Sequence, residues 1–432
     1  EANYALLKFA REVIGTENHA VADAFSLAPF FENLGAPLAT HRDLRFAKTI
    51  ILIGGEPEEL QPLTGKQIRQ AVRNGGARLI IFNSVPIRLK EQAAQFIQIN
   101  PGTEDAVVLA LAGTSDDELA AGKLGIEAKT LADVRRALDE TEGDCVLAFG
   151  GELSAAAQMV LAQLPQIVGA REGRRFLLHP LPLYNNSIGA HDIGLMNAKL
   201  SITQLLDQAG QGLRVLYCAG SLLPEHLRGR EEAIKQIDLI VVQELFETET
   251  TALADVVFPA ASFAETDGTF TNNAGQVQRV RQSIPPVHQA RPDWMITAAL
   301  ASALNADFGF QMSASAVFRE LAERVPAYEG LRYPLLKDES QPVQVKHALA
   351  ERRDVTGALQ EMRTRVQQMN TTGARPTETP KVGHELFKPG TLTSKTPQFP
   401  LLYAGNPKPP TVLVSPLYQI TVDENLKTVS SP

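Results

Sequence analysis

The run TIILIGG, Thr49–Gly55, decides the fold. Five residues pass without a single polar alternation, and two glycines then stop them. A strand wetted on one face alternates apolar with polar. A continuous apolar run is instead buried on both faces, as in parallel sheets covered by helices. The same grammar returns in ARLIIFN (Ala77–Asn83), CVLAFGG (Cys145–Gly151), RVLYCAG (Arg214–Gly220), LIVVQE (Leu239–Glu244) and DVVFPA (Asp255–Ala260). Helix-like segments lie between these runs, at Thr64–Asn74, Leu119–Thr141, Ser154–Leu164 and Glu231–Ile237. The alternation predicts an α/β fold of doubly wound, Rossmann-like parallel-sheet domains.

The strands fall into two groups. AREGRRFLLHPLPLYNNSIGAHDIG (Ala170–Gly194) is rich in Gly, Asn and Pro and reads as a connection. The expected division is a first α/β domain over 1–170, a second over 171–345, and a C-terminal tract over 346–432. That tract would hold a helix within His347–Asn370, a Pro/Thr-rich linker over Thr371–Pro400, and an extended tail carrying FPLLYAG and TVLVSPLYQITV. The tail is expected to pack along the α/β body or another protein, because bare strand edges need covering.

The 432 residues carry a net charge of −8, against the basic face that bulk nucleic-acid binding wants. Two cysteines, Cys145 and Cys218, are too few for a disulfide framework or an iron–sulfur cluster, and each sits in a strand-like run where it reads as core. No run of 18 or more apolar residues suggests membrane insertion. The first residue, Glu1, opens in the style of a helix already under way, so the chain is expected to continue upstream.

In an open parallel sheet, ligands sit beyond the carboxyl ends of the strands. The candidates are therefore Gly54-Gly55-Glu56-Pro57, Asn83-Ser84, Gly150-Gly151, Gly220-Ser221, Gln243-Glu244 and Pro259-Ala260-Ala261. Glycine there lets backbone amides approach a phosphate, although a tight strand-to-helix turn explains it equally. None of these loops is a G-x-G-x-x-G or a P-loop. Beyond the last strand, ETDGTFTNNAGQ reads as a pocket rim. Glu265 and Asp267 are either an acid pair or organisers of the Thr/Asn turn that holds Asn272. No histidine pair has zinc-site spacing; His179 and His191 flank the Asn-rich loop. Arg279, Arg281 and Arg291 suit either an anionic partner or a solvated surface.

Ile237–Leu304, EANYALLKFAREVIGTEN at the N-terminus, PGTEDAVVLAL (Pro101–Leu111) and NNSIGAHDIGLM (Asn185–Met196) together resemble the molybdopterin oxidoreductases, over about residues 1–310. The family includes formate dehydrogenases, nitrate reductases and the large iron–sulfur subunit of NADH–quinone oxidoreductase. The resemblance implies two α/β domains with a pterin–guanosine cofactor and its metal in the crevice. Three departures bear on that cofactor. HAVADAFSLAPFFENLG (His19–Gly35) has no Cys where a metal ligand would stand, only Asp23 and Ser26 as oxygen donors. Asn83-Ser84-Val85-Pro86 stands where the family has Asp-Pro-Arg, so a guanine-facing acceptor is lost. GSLLPEH (Gly220–His226) replaces G-E-N-P.

These departures set the expectation of a non-catalytic, cofactor-less part of the NADH–quinone oxidoreductase subunit. Gly55, Asn83, Gly220, Gln243, Glu265, Asp267 and Asn272 would then line a vestigial crevice, with no catalytic or metal residue. Iron–sulfur clusters would lie upstream, the partners would be other peripheral-arm subunits, and the site of action would be the cytoplasmic side of the inner membrane. The alternatives are an active formate dehydrogenase-like molybdopterin oxidoreductase, and a nucleotide-binding α/β module.

Overall fold

In a computed structural model, residues 1–21, 26–113, 115–169, 173–310, 312–338, 340–369, 412–414 and 419–421 are described. The expected α/β architecture with parallel sheets is present. The first sheet contains β1 (Thr49–Ile53), β2 (Arg78–Asn83), β3 (Gln95–Gln98), β4 (Cys145–Phe149) and β5 (Phe176–Pro180). All are parallel, in the order β3-β2-β1-β4-β5.

Alternation within these apolar runs sorts the side chains onto two cores. Ile51, Ile53, Ile80, Phe82, Leu147 and Phe149 point to one face. There they meet Val107, Val108 and Leu111 of helix Glu104–Ala112 and Val160, Leu161 and Leu164 of helix Ala155–Val168. Ile50, Leu52, Leu79, Ile81, Val146 and Ala148 point to the other face, against Leu44 of helix His41–Phe46 and Ile68 and Ala71 of helix Pro62–Gly75. Thr40 and Asp43 close a capping box that starts the first of these, satisfying two backbone donors reciprocally. The sheet is doubly wound, and its central strands are fully buried.

The second sheet is smaller: β6 (Val215–Ala219), β7 (Leu239–Glu244) and β8 (Val256–Pro259), parallel and in that order. Leu216, Ile240 and Val242 face a core made with Leu205, Leu206, Leu227 and Ile234. The opposite face carries Val215, Leu239 and Val256, which remain 55%, 38% and 39% exposed. An antiparallel hairpin, β9 (Gly268–Thr271) and β10 (Gln276–Val280), follows and is joined by β11 (Val343–Gln344). Helix Ala2–Lys8 packs beside helix Asp293–Ala303. It is held there by Tyr4 and Lys8, which both donate to Glu320 Oε1 at 2.8 and 2.6 Å.

Three readings of the sequence change. Ala170–Gly194 is not all connection, because Phe176–Pro180 is the edge strand paired with β4. A division of the chain at 170/171 would therefore cut β5 from its own sheet. Leu119–Thr141 is two helices, Asp117–Leu124 and Ala128–Asp139, broken where Gly125 takes φ 71° as a left-handed cap. The helix expected within 347–370 spans Thr356–Gln368, and its Met362 and Val366 are buried in the first domain's core. Of the tail, Val412–Val414 pairs antiparallel with Gln419–Thr421, and the expected linker lies outside the described residues.

Candidate functional site

The carboxyl ends of the two sheets form two unlike places. In the first sheet the chain winds outward from β1 to β2 and β3, then returns to β4 on the other side. The crevice between β1 and β4 is thus the switch point where open α/β sheets bind ligands. Gly54 and Gly55 leave β1 with φ 65° and 70°, a left-handed region that favours glycine. The Asn83 amide is spent within the turn. Its Nδ2 donates to Gly55 O at 2.8 Å and its Oδ1 accepts from Val85 N at 3.0 Å, so it buttresses the turn.

The switch point is already filled. Glu152, which follows Gly150-Gly151, folds back so that its Oε1 accepts from Gly55 N at 2.9 Å. A Cβ added to Gly54 would lie 2.5 Å from Glu152 Oε2, and one added to Gly150 would strike the same carboxylate. Behind it sits Glu104, 3% exposed, pushed up to about 7 by burial, with the neighbouring charges of Glu152 and Asp105 adding to the shift. Glu56 is 6% exposed. Burial and the nearby Glu59 and Glu58 push it up to about 7 as well.

The second sheet offers open space. A cavity of ≈ 1100 Å³ runs along its uncovered face, under helices Ala2–Lys8 and Asp293–Ala303. Its walls are mostly apolar, with Phe9, Tyr217, Val241, Phe258 and Leu300 among them. Polar groups gather at the strand ends. Gly220 has φ 87°, and nothing stands within 4 Å of where its Cβ would be. Ser221 Oγ donates to Glu244 Oε2 at 2.5 Å and lies 2.7 Å from Thr248 Oγ1. Gln243, fully buried, spends its Nε2 on Tyr217 and on Thr297 Oγ1 at 3.1 Å. Its Oε1 has no partner, and it lines an adjoining pocket of ≈ 200 Å³ with Asn3, Gly220 and Asp293. Burial, then the charge of Glu244, raises Asp293 to about 7.

The other predicted residues divide. Asp267 lines the cavity, and its Oδ1 accepts from Arg279 Nη2 at 3.3 Å. Glu265 is 3% exposed and accepts from Ser262 N at 2.8 Å and Val287 N at 2.9 Å, the turn-organising role. Asn272 Oδ1 accepts from Ala274 N and Gln276 N at 2.9 and 3.0 Å, closing the β9–β10 hairpin. His179 is fully buried and pushed down to about 3 by desolvation, and its Nδ1 lies 3.0 Å from Ala39 O. His191, also desolvated, falls to about 4 and stacks on Phe31 at 4.5 Å. Burial pushes the thiols of Cys145 and Cys218 up to about 12. Arg279 lies 3.5 Å over the Tyr333 ring, and Arg281 donates to Lys337 O at 3.0 Å, so the two do not converge on an anion. Asp23 lies outside the described residues. Among the described residues no group of three or more His, Cys, Asp or Glu is placed to hold a metal ion.

Sequence reading missed Glu152 and Asp293. The first had a signal in the echo between Gly54-Gly55-Glu56 and Gly150-Gly151-Glu152. The second had none, since it opens a helix far along the chain from the strands it faces.

Residues 1–303 match the model of the family described as Molybdopterin oxidoreductase. The F420-dependent formate dehydrogenase subunit alpha of Methanocaldococcus jannaschii is 27% identical over 409 residues, covering 78% of this chain and 60% of its own length. The putative formate dehydrogenase YrhE of Bacillus subtilis is 24% identical, covering 78% of this chain and 42% of its own. The chain thus spans about 60% or less of these relatives. Acetylene hydratase from Pelobacter acetylenicus superposes with a TM-score of 0.52 at 14% identity, covering 80% of this chain and 63% of that one, a likeness of fold.

These findings correct two expectations. The relatives bear the name of formate dehydrogenase and not of a NADH–quinone oxidoreductase subunit, so the cofactor-less structural reading is set aside. The expectation of no cofactor in this chain falls with it, because family and relatives imply a molybdopterin. The second-sheet cavity fits such a group. It exceeds the ~300–1,000 Å³ of most ligand pockets, its walls suit flat rings, and in the adjoining pocket, which shares Gly220 and Asp293 with it, Gln243 Oε1 is an orphaned buried acceptor.

Proposed function

Because the chain belongs to the molybdopterin oxidoreductase family, we propose that it is part of a formate dehydrogenase-like oxidoreductase that holds its pterin cofactor beneath the second sheet. The observation that carries this reading is the ≈ 1100 Å³ cavity, with Gly220, Gln243 and Asp293 brought together beside it. Gly220 leaves its backbone open to close approach, as a phosphate-bearing ligand needs. Gln243 Oε1 and the Asp293 carboxyl supply acceptors at the strand ends, and the apolar walls keep water from the rings. When bound, the cofactor supplies the redox-active metal centre that takes up an electron pair.

Oxidation of formate to carbon dioxide releases two electrons and one proton. Asp293 is the carboxyl suited to that proton, since a group with a pKa near 7 changes hands with least cost at neutral pH. Helix Ala2–Lys8 forms one wall of the cavity and is fixed at its start by Glu1, which accepts from Thr269 N at 2.8 Å and from Tyr333 Oη at 2.6 Å.

The test is made on protein purified from cells supplied with molybdate and tungstate. Stoichiometric metal and fluorescent oxidised pterin, with formate-driven reduction of a viologen dye, are expected. Pterin-free protein that does not oxidise formate would overturn the reading.

A further inference from the structure

At the amino ends of β1 and β2, away from the strand ends where ligands bind, the surface turns basic. Residues 42–48, RDLRFAK, carry three cations and one acid, and residues 66–78, KQIRQAVRNGGAR, carry four cations and no acid. The fold sets the two stretches side by side. Helix His41–Phe46 packs on helix Pro62–Gly75 through Leu44, Ile68 and Ala71. Lys48 and Arg78 enter the paired strands together, Arg78 N donating to Lys48 O at 2.8 Å. A Cβ on Gly75 would lie 3.8 Å from Arg45 O, so the end of one helix meets the other. Arg42, Arg45 and Phe46, at i, i+3 and i+4, share a helix face.

Arg42, Arg45, Lys48, Arg73 and Arg78 are all exposed, and none makes an ion pair among the described residues. The nearby acids are taken, since Asp43 and Asp144 both pair with Arg175. In their midst Phe46 is 61% exposed, with the Arg45 guanidinium 5.8 Å from its ring centre. A single exposed ring or charge signifies little. A ring among unpaired guanidiniums has the make-up of an interface centre, where aromatics and Arg are enriched and Lys is depleted; four of these five cations are Arg. The guanidinium fork also matches a carboxylate with two parallel hydrogen bonds. We propose that this surface docks an acidic segment of another protein, whose carboxylates pair with the arginines while an apolar side chain packs on Phe46. A bilayer is the poorer occupant, because it asks for a continuous apolar face and Phe46 stands alone on this helix face. The surface is on the other sheet from the cavity under Asp293, so the proposal stands without the formate dehydrogenase-like reading.

A short all-glutamate peptide with one central leucine, titrated into the full chain by fluorescence anisotropy, tests the proposal. Arg42→Glu/Arg45→Glu is expected to weaken binding at least tenfold. Arg352→Glu/Arg353→Glu, the same change of net charge at other exposed arginines, should leave it unchanged. Phe46→Ser should weaken the leucine peptide at least threefold and leave an all-glutamate peptide unaffected. Should the glutamate pair disturb the fold, Arg42→Gln/Arg45→Gln replaces it, with the same direction of change. No binding by the wild type, or equal losses in the two charge-reversed pairs, would overturn the proposal. So would phosphatidylserine vesicles or duplex DNA binding through Arg42 and Arg45 more tightly than the peptide does.

Discussion

The two sheets were built by one rule and finished differently. The first has helices on both faces, and its strand-end crevice is occupied by Glu152. The second has one face packed and the other turned to a cavity, and its strand-end glycine, Gly220, opens on empty space. Stability and binding capacity are thus unevenly distributed. A sheet that spends both faces on core has only its edge loops left for a ligand. A sheet that leaves one face uncovered keeps apolar surface in reserve, and a flat cofactor can cover it.

The largest effect that can break this contrast is a core truncation. Phe149→Ala removes a fully buried ring from the first sheet and should cost about 3–5 kcal/mol in urea unfolding. Val256→Ala, on the open face of the second sheet, should cost no more than about 0.5 kcal/mol. Equal losses would mean that the second sheet is packed on both faces after all.

Smaller and more local is Gly54→Ala, which meets both an unfavourable φ of 65° and the Glu152 carboxylate. We expect a loss of roughly 1–3 kcal/mol, of which about 1 belongs to the backbone and survives in a Glu152→Ala background. A double-mutant cycle measures the coupling, and strict additivity would show that the carboxylate does not meet Gly54.

Asp293→Asn should change the pH dependence of stability more than its size. With the folded pKa raised above the unfolded value, the native state holds the extra proton between about 4 and about 7. Stability therefore falls as pH rises through that window, and the amide should flatten the slope. An unchanged slope in thermal melts across that window would place the raised carboxyl elsewhere. The smallest effect is expected at Arg214→Ala, since the pair with Asp238 is largely exposed and should be worth under about 0.5 kcal/mol.

The first-sheet runs were legible because β1, β2 and β4 are buried on both faces, and the second-sheet runs because they are equally apolar, although one face there opens on the cavity. β5 was not, because FLLHP ends in His and Pro. His179 is tolerated at its end through Ala39 O, Asn273 and Thr64 Oγ1, 3.0, 3.1 and 3.4 Å away, partners 140, 94 and 115 residues distant in the chain. β3 and the β9–β10 hairpin are short, half-exposed strands whose polar alternation resembles a loop. At the sites, the glycines were legible by position. What faces them was not, since Glu152 at Gly55 is a contact across 97 residues that only the closed sheet creates.

The second-sheet cavity is the cofactor's proposed seat. A cryo-EM or crystal structure of the natively purified protein tests this directly. Pterin density between Gly220, Gln243 and helix Asp293–Ala303 is the predicted result. A cavity filled by protein side chains, with stoichiometric pterin bound elsewhere on the chain, would contradict it.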